Sequence, residues 1–315
     1  MLASIPPAPA IHRRGSWRPL WRLVEHTVGQ VMGQALGRML PGAIRHWMIA
    51  PWLLMVLLPQ AQAGGSAAQA PAVQASPTLQ RIQQAGELKV CIWPDYYGVT
   101  YRNPRNSQLT GIDIELSAEL AKALGVRLRH VETTFPTLMD DVEAARCDIA
   151  MFAIGITPQR RARLAFSAPY LQSDIYAITT RSSRLIKRWE DIDRPGVVVA
   201  VQAGTFMEPV MRERLHQATL QVVNPPVTRE AELEAGRVDV FMTDYPYSRR
   251  LLDNADWMRL VAPPAPFHVL PYAYAVKPGD PAWLAKVDQF VAAIKQDGRL
   301  EAAARRHGLH DIVVR

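Results

Sequence analysis

The chain has 315 residues, 49% of them hydrophobic and 21% charged, with two cysteines and a formal net charge of +7. That length suits two domains of moderate size, each able to bury a core of its own. The composition excludes a disordered chain and a disulfide scaffold, and the lack of a Cys-x-x-Cys pair excludes zinc-ribbon and thioredoxin-type chemistry.

A basic chain invites a nucleic-acid partner, but here the excess is in the wrong place. Residues 1–63 hold six arginines (Arg13, Arg14, Arg18, Arg22, Arg38, Arg45) and one acid, Glu25, so that segment carries +5 and the remainder only +2. No nucleic-acid partner is expected. The segment ends in Arg45 and His46, a 12-residue apolar run from Trp47 to Leu58, and then Ala61-Gln62-Ala63. A positive region, a short apolar core and an A-x-A site read as a secretory signal cleaved near Ala63, which places the mature chain in the periplasm. An uncleaved anchor is the alternative, although the apolar run is short for a bilayer core of about 30 Å. A start at Met39 would give a 25-residue signal. Its rival is a genuine basic amphipathic extension around Trp17–Met39. Residues 64–77 (GGSAAQAPAVQASP) read as a flexible tether.

From Thr78 the pattern alternates. A helix over Thr78–Ala85 is stopped by Gly86, and Leu88–Trp93 is an apolar run of strand length. Ile112, Leu116, Leu120 and Leu124 have helical spacing and Gly125 ends the helix. A strand over Val126–Glu132, a helix over Pro136–Ala145 and a fully apolar strand over Asp148–Ile154 follow. This β-α-β-α-β order predicts a parallel sheet. The order then repeats: strand Gly196–Gln202, helix Gly204–His216, strand Leu220–Val223, helix Thr228–Ala235, strand Val238–Thr243. Two apolar segments, Asp174–Thr180 and Val269–Val276, bracket the second unit about 95 residues apart. The chain after them is helical (Asp280–Gln296, Arg299–His307) and has no sheet of its own, so it should pack back on the first unit. The expected organisation is the extension (1–63), the linker (64–77), a first lobe (78–180), an inserted second lobe (181–268) and a return that completes lobe one (269–315). Two crossing strands make a hinge around a cleft, and the cleft should lie beyond the carboxyl ends of the strands.

The loops at those strand ends carry the polar residues. Thr157 is placed to cap a helix with Pro158 at its first position, which puts Arg160 in the first turn against the helix dipole. An arginine there either points at an anion, whose carboxylate its planar fork fits, or is a surface side chain beside Arg161 and Arg163. Ala203-Gly204-Thr205-Phe206 offers backbone N–H groups at a helix start, suited to an anion. Asp244 at a strand end either receives an ammonium group or caps the helix that follows. Arginine, an N–H nest and aspartate around one cleft suit a zwitterion.

These same stretches carry a resemblance. "Gly111-Ile-Asp-Ile-Glu-Leu", "Cys147-Asp-Ile-Ala-Met", "Gly155-Ile-Thr-Pro-Gln-Arg160" with "Phe166-Ser167-Ala168-Pro169-Tyr170", "Gly204-Thr205" and "Gly236-Arg-Val-Asp239" with Asp244 resemble the periplasmic polar-amino-acid-binding proteins of ABC importers, bacterial solute-binding protein family 3. The likeness runs from about Thr78 to Leu309. It implies an α/β, two-lobe, type II periplasmic-binding-protein fold, each lobe a mostly parallel sheet flanked by helices on a two-strand hinge. It also implies that Arg160 clamps an α-carboxylate, helped by Thr205, while Asp244 takes the α-ammonium. Tyr96 would stack on the ligand and Phe135 would form the facing wall. The implied partners are a small amino-acid-like ligand and an inner-membrane ABC permease; a monomer without cofactor or metal is expected.

The sequence departs from the family at four of these places. Trp93 stands where relatives that bind cationic side chains carry an acid. Ala153 and Gly155 replace serines, and Phe206 replaces a second threonine. A more aromatic pocket disfavours lysine or arginine, because a buried ammonium needs a partner, although Asp95 is near in sequence. An apolar, aromatic or small ligand fits better.

Two other readings stay open. Cyclohexadienyl dehydratases use this fold on prephenate-like acids, and a general acid would have to come from Asp95, Asp244 or Glu208. A ligand-sensing accessory protein is the third. Cys91 and Cys147, on or beside adjacent strands, are either a disulfide or two buried small side chains.

Overall fold

Small punctuating residues delimit the first helices. In the computed structural model, which describes residues 75–315, Ser76 caps α1 (Pro77–Ala85) through its hydroxyl and Gly86 ends it in the left-handed region. The expectations about signal, anchor, start site and most of the tether fall on residues outside that span.

The first lobe continues with β1 (Glu87–Ile92), a meander of β2 (Asp95–Tyr96), β3 (Thr100–Arg102) and β4 (Leu109–Thr110), then α2 (Ile112–Leu124), β5 (Arg127–Glu132), α3 (Leu138–Glu143) and β6 (Ile149–Gly155). The short helix α4 (Pro158–Arg161) precedes β7 (Ala165–Phe166) and β8 (Leu171–Ser173). The second lobe is built from β9 (Ile175–Thr180), β10 (Val198–Gln202), α5 (Met207–Arg214), β11 (Thr219–Val223), α6 (Arg229–Glu234), β12 (Val240–Asp244), α7 (Tyr245–Asn254) and β13 (Met258–Val261). β14 (Leu270–Val276) returns to the first sheet, followed by α8 (Pro281–Gln296) and α9 (Arg299–Arg306).

The two sheets run β5-β1-β6-β14-β7, with β8 also on β14, and β11-β10-β12-β9-β13. Each β-α-β-α-β unit contributes parallel strands, and the crossing strands β9 and β14 add on antiparallel, so both sheets are mixed. β6 is central and buried at every position, as its unbroken apolar run requires. Each fully buried aliphatic or aromatic side chain there contributes roughly 1.5–3 kcal/mol of transfer free energy.

Three expectations shift. Ile175–Thr180, counted above with the first lobe, pairs with β12 and β13, so the sheets divide near Asp174 rather than at Thr180. The helix expected from Gly204 begins at Met207, because Gly204 and Thr205 are spent on a turn. The helix expected from Pro136 spans only Leu138–Glu143.

Asp174 ties the two crossings together. Its Oδ1 accepts from the N–H groups of Ile175 (2.7 Å) and His268 (2.6 Å), and its Oδ2 from Phe267 N–H (2.8 Å). The C-terminal helices pack on lobe one, where Trp283 Nε1 donates to the Asp148 carbonyl at 3.0 Å. Cys91 on β1 and Cys147, just before β6, are joined in a disulfide with Cα atoms 5.5 Å apart. Closing a loop of 56 residues, it stabilises the fold by roughly 4 kcal/mol on the chain-entropy account.

Candidate functional site

The carboxyl ends of β1, β6, β10 and β12 converge on one cleft. Lobe one lines it with Trp93, Tyr96, Phe135, Ala153 and Gly155; lobe two lines it with Thr205, Phe206, Met207, Arg229, Thr243, Asp244 and Tyr247. Eight of the nine ligand-binding candidates read from the sequence therefore face the same space. The ninth, Arg160, stands directly behind it.

Arg160 reaches its place by local logic. Thr157 caps α4 through its hydroxyl, which accepts from Arg160 N–H at 3.2 Å, and Pro158 fixes the first turn. The guanidinium is only 4% exposed. Its Nη1 donates to the Gly155 carbonyl (2.9 Å) and its Nη2 crosses the cleft to the Gly204 carbonyl (3.0 Å). The carbon of that guanidinium lies 5.2 Å from the centroid of the Phe135 ring. Burial lowers its pKa to about 10, a value at which it stays charged at neutral pH. Among the described residues it pairs with no carboxylate; two backbone carbonyls and a ring face hold it. The expectation of a surface arginine is thereby set aside.

Asp244 is 3% exposed. Its Oδ1 caps α7 by accepting from Tyr247 N–H at 3.2 Å, while Oδ2 accepts from the hydroxyls of Tyr272, at 2.8 Å, and Tyr96. The helix cap expected as one alternative for this residue thus falls on Oδ1, while Oδ2 is held by tyrosine hydroxyls. Burial raises its pKa, against the pull of the two tyrosine hydroxyls. Tyr96 and Tyr272 belong to lobe one, so this hydrogen-bonded trio spans the cleft.

The glycine turn is held by contacts within lobe two. Gly204 N–H donates to Glu208 Oε2 at 3.1 Å, and the Thr205 hydroxyl donates to the Gln202 carbonyl at 2.7 Å. Gly204 has φ +73°, and a Cβ there would sit 2.7 Å from the Pro136 nitrogen of the opposite lobe. No other residue type lets the backbones approach this closely. Trp93 and Tyr247 face each other in parallel across the cleft, ring centroids 6.3 Å apart.

Four lining residues were not singled out from the sequence: Met207, Arg229, Thr243 and Tyr247. Arg229 opens α6 behind the cap of Thr228, where the sequence shows only an ordinary helix start. It is 4% exposed. Its Nη1 donates to the Met242 carbonyl (2.6 Å), and its guanidinium carbon lies 4.8 Å from the Tyr247 ring centroid and 5.3 Å from that of Phe241. Of the acids considered for catalysis, Asp95 is exposed and Glu208 turns to Gly204 and Arg212 outside the cleft wall.

Residues 88–310 match the profile of the bacterial extracellular solute-binding proteins, family 3. The chain is 34% identical over 223 residues to the cyclohexadienyl dehydratase of Pseudomonas aeruginosa, spanning 70% of this chain and 82% of that one. It is 24% identical over 229 residues to the L-cystine-binding protein TcyJ of Escherichia coli, spanning 72% and 85%. Among solved structures, the ancestral amino acid-binding protein AncCDT-1, a precursor of cyclohexadienyl dehydratase, superposes with a TM-score of 0.66 at 31% identity, covering 73% of this chain and 98% of that one.

Proposed function

The chain belongs to the bacterial extracellular solute-binding proteins, family 3, and from that membership we propose that it captures a small amino-acid-like carboxylate between its lobes and presents the closed form to a membrane permease of an ABC importer. One observation carries this reading. Arg160, a buried guanidinium without an acid, bonds a carbonyl of each lobe at the mouth of the strand ends. A ligand carboxylate that took the Nη2 donor from Gly204 would gain a charge-assisted bond where the empty chain has a neutral one. Asp244 and Tyr96 engage the ammonium end as the lobes close. Binding favours the closed state only if these contacts are stronger there than in the open one.

Calorimetric titration of the ligand-stripped protein with a panel of amino acids tests the reading. One member should bind, and Arg160→Ala should abolish that binding with the fold intact by circular dichroism. Unchanged affinity in Arg160→Ala would sink the assignment.

The dehydratase relative at 34% identity motivates a second reading, an enzyme on the same scaffold. Against it stands the carboxyl inventory of the cleft: Asp244 is the carboxyl group among the lining residues, and the other two candidates, Asp95 and Glu208, are not among them. Steady turnover of a cyclohexadienyl acid, lost in Asp244→Ala, would overturn the binding reading. We read the N-terminal 63 residues as an export signal; a mature N-terminus near Gly64 by mass spectrometry checks it.

A further inference from the structure

We propose that the lobe-two wall of the cleft is a second anion site, built by Arg229 and Thr243, and that the ligand is a small amino acid carrying a second carboxylate. This rests on the ligand-capture reading above and narrows its ligand class.

Two atoms of that wall lack hydrogen-bond partners. Arg229 Nε and Thr243 Oγ1 are both buried and unpartnered among the described residues, and both side chains line the cleft. Native proteins pair nearly all such groups, so two unpaired donors on one wall point to an acceptor that arrives with the ligand. Arg229 also forms no ion pair among the described residues. A single carbonyl and two aromatic faces hold it. The buried Asp244 carboxyl lies within electrostatic reach and offsets that charge in part, without an ion pair between them; a buried charge only partly compensated favours an incoming anion.

Charge balance then narrows the class. Of the buried charged groups, Arg229 and Asp244 line the cleft and Arg160 backs it, while the Asp113 carboxyl behind Ala153 is held within lobe one by Tyr170 and Tyr274. A neutral zwitterion would leave one cation uncompensated. A ligand with two carboxylates and one ammonium matches all three groups. A cationic ligand would add to the excess, and the exposed Asp95 offers its side chain no buried partner. The preference for an apolar, aromatic or small ligand rested on Trp93, Ala153, Gly155 and Phe206; those residues line the walls, while the polar groups of the cleft set the charge.

The test is titration of the ligand-stripped protein with L-aspartate, L-glutamate and their amides, L-asparagine and L-glutamine. At least one acid should bind about thirtyfold tighter than its own amide, the scale expected for a buried charge pair. Arg229→Gln should shrink that ratio below about threefold. Should Arg229→Gln fail to fold, Thr243→Val must still reduce the ratio. An amide that binds as tightly as its acid, or a ratio untouched by both variants, overturns the inference. Arg160→Ala separates the two levels of argument: it should remove acid and amide binding alike. If a neutral or cationic amino acid binds through Arg160 and no acid does, the capture reading stands and this inference falls.

Discussion

Two buried carboxyl groups in this protein are each held by a pair of tyrosines, and they do different work. Asp113, in the first turn of α2, accepts from Tyr170 and Tyr274 hydroxyls and from Ala153 N–H at 3.0 Å. Every member of that cluster lies in lobe one. Asp244 accepts from Tyr96 and Tyr272, but it sits in lobe two and they sit in lobe one. The chemistry is the same and the connectivity is not. A cluster within one rigid body can only stabilise it. A cluster shared between two bodies is made and broken as they move, so its energy goes into the open–closed balance. The inner cluster still reaches the site at one remove, because Asp113 holds Ala153, a cleft-lining residue at φ +50°.

The sharpest way to break this distinction is at Asp113. Asp113→Ala leaves two tyrosine hydroxyls and one backbone N–H without their acceptor, at about 1–3 kcal/mol each. Urea unfolding should show a loss of at least about 3 kcal/mol, the largest effect expected here. A fully stable Asp113→Ala would end the structural reading of that cluster.

The same residue has a pH signature. Burial raises the Asp113 pKa to about 7. Between about pH 4 and pH 7 the folded chain therefore keeps a proton that the unfolded chain has released. The resulting stability is complete below the ordinary carboxyl range and is lost as pH rises through about 7. The unfolding free energy from urea titrations should decline across that window by an amount on the order of 1.4 kcal/mol per pH unit, and Asp113→Asn should flatten the slope.

At Asp244 the readout moves from stability to affinity. Asp244→Asn should weaken an amine-bearing ligand by about a hundredfold, close to 2.7 kcal/mol, with a small change in unfolding. Calorimetry and urea titration of one preparation report both numbers. Equal losses in the two assays would place Asp244 with Asp113.

Gly204→Ala probes closure without touching either carboxyl group. Its methyl would press on Pro136 N and Phe135 C of the other lobe. Affinity should fall about tenfold and small-angle scattering should show a more open chain. The smallest effect separates neighbouring tyrosines: Tyr274→Phe should cost about 1 kcal/mol of stability, and Tyr272→Phe should instead shift the open–closed balance by a similar amount. Reversed outcomes would exchange the roles of the two clusters.

Much of the architecture was legible in the sequence because its signals are local. The apolar run of β6, the helical spacing of α2 and the glycines at 86 and 125 each act over a few residues. The strands of two or three residues, β2 to β4, β7 and β8, carry no period to read, and they exist because longer strands and helices hold them. The Ile-Thr-Pro-x-Arg turn was legible for a similar reason: Thr157 caps and Pro158 starts the helix that aims Arg160. Arg229 was not. Its own neighbours describe a routine helix start, and only the packing of α6 against β12 carries its guanidinium to the Met242 carbonyl and the cleft.

The sequence by itself determined the alternation of strands and helices, the repeat of that order, and the strand ends from which a site would be built. Tertiary structure decided which acid is internal and which spans the cleft, which guanidinium lines the wall, and how closely Gly204 brings the lobes together. The reason is physical. Periodicity and caps are short-range properties of consecutive residues, whereas the meaning of a charge depends on its burial and on which body its partners belong to. Sheet order joins those partners across distances in the chain that no local pattern records.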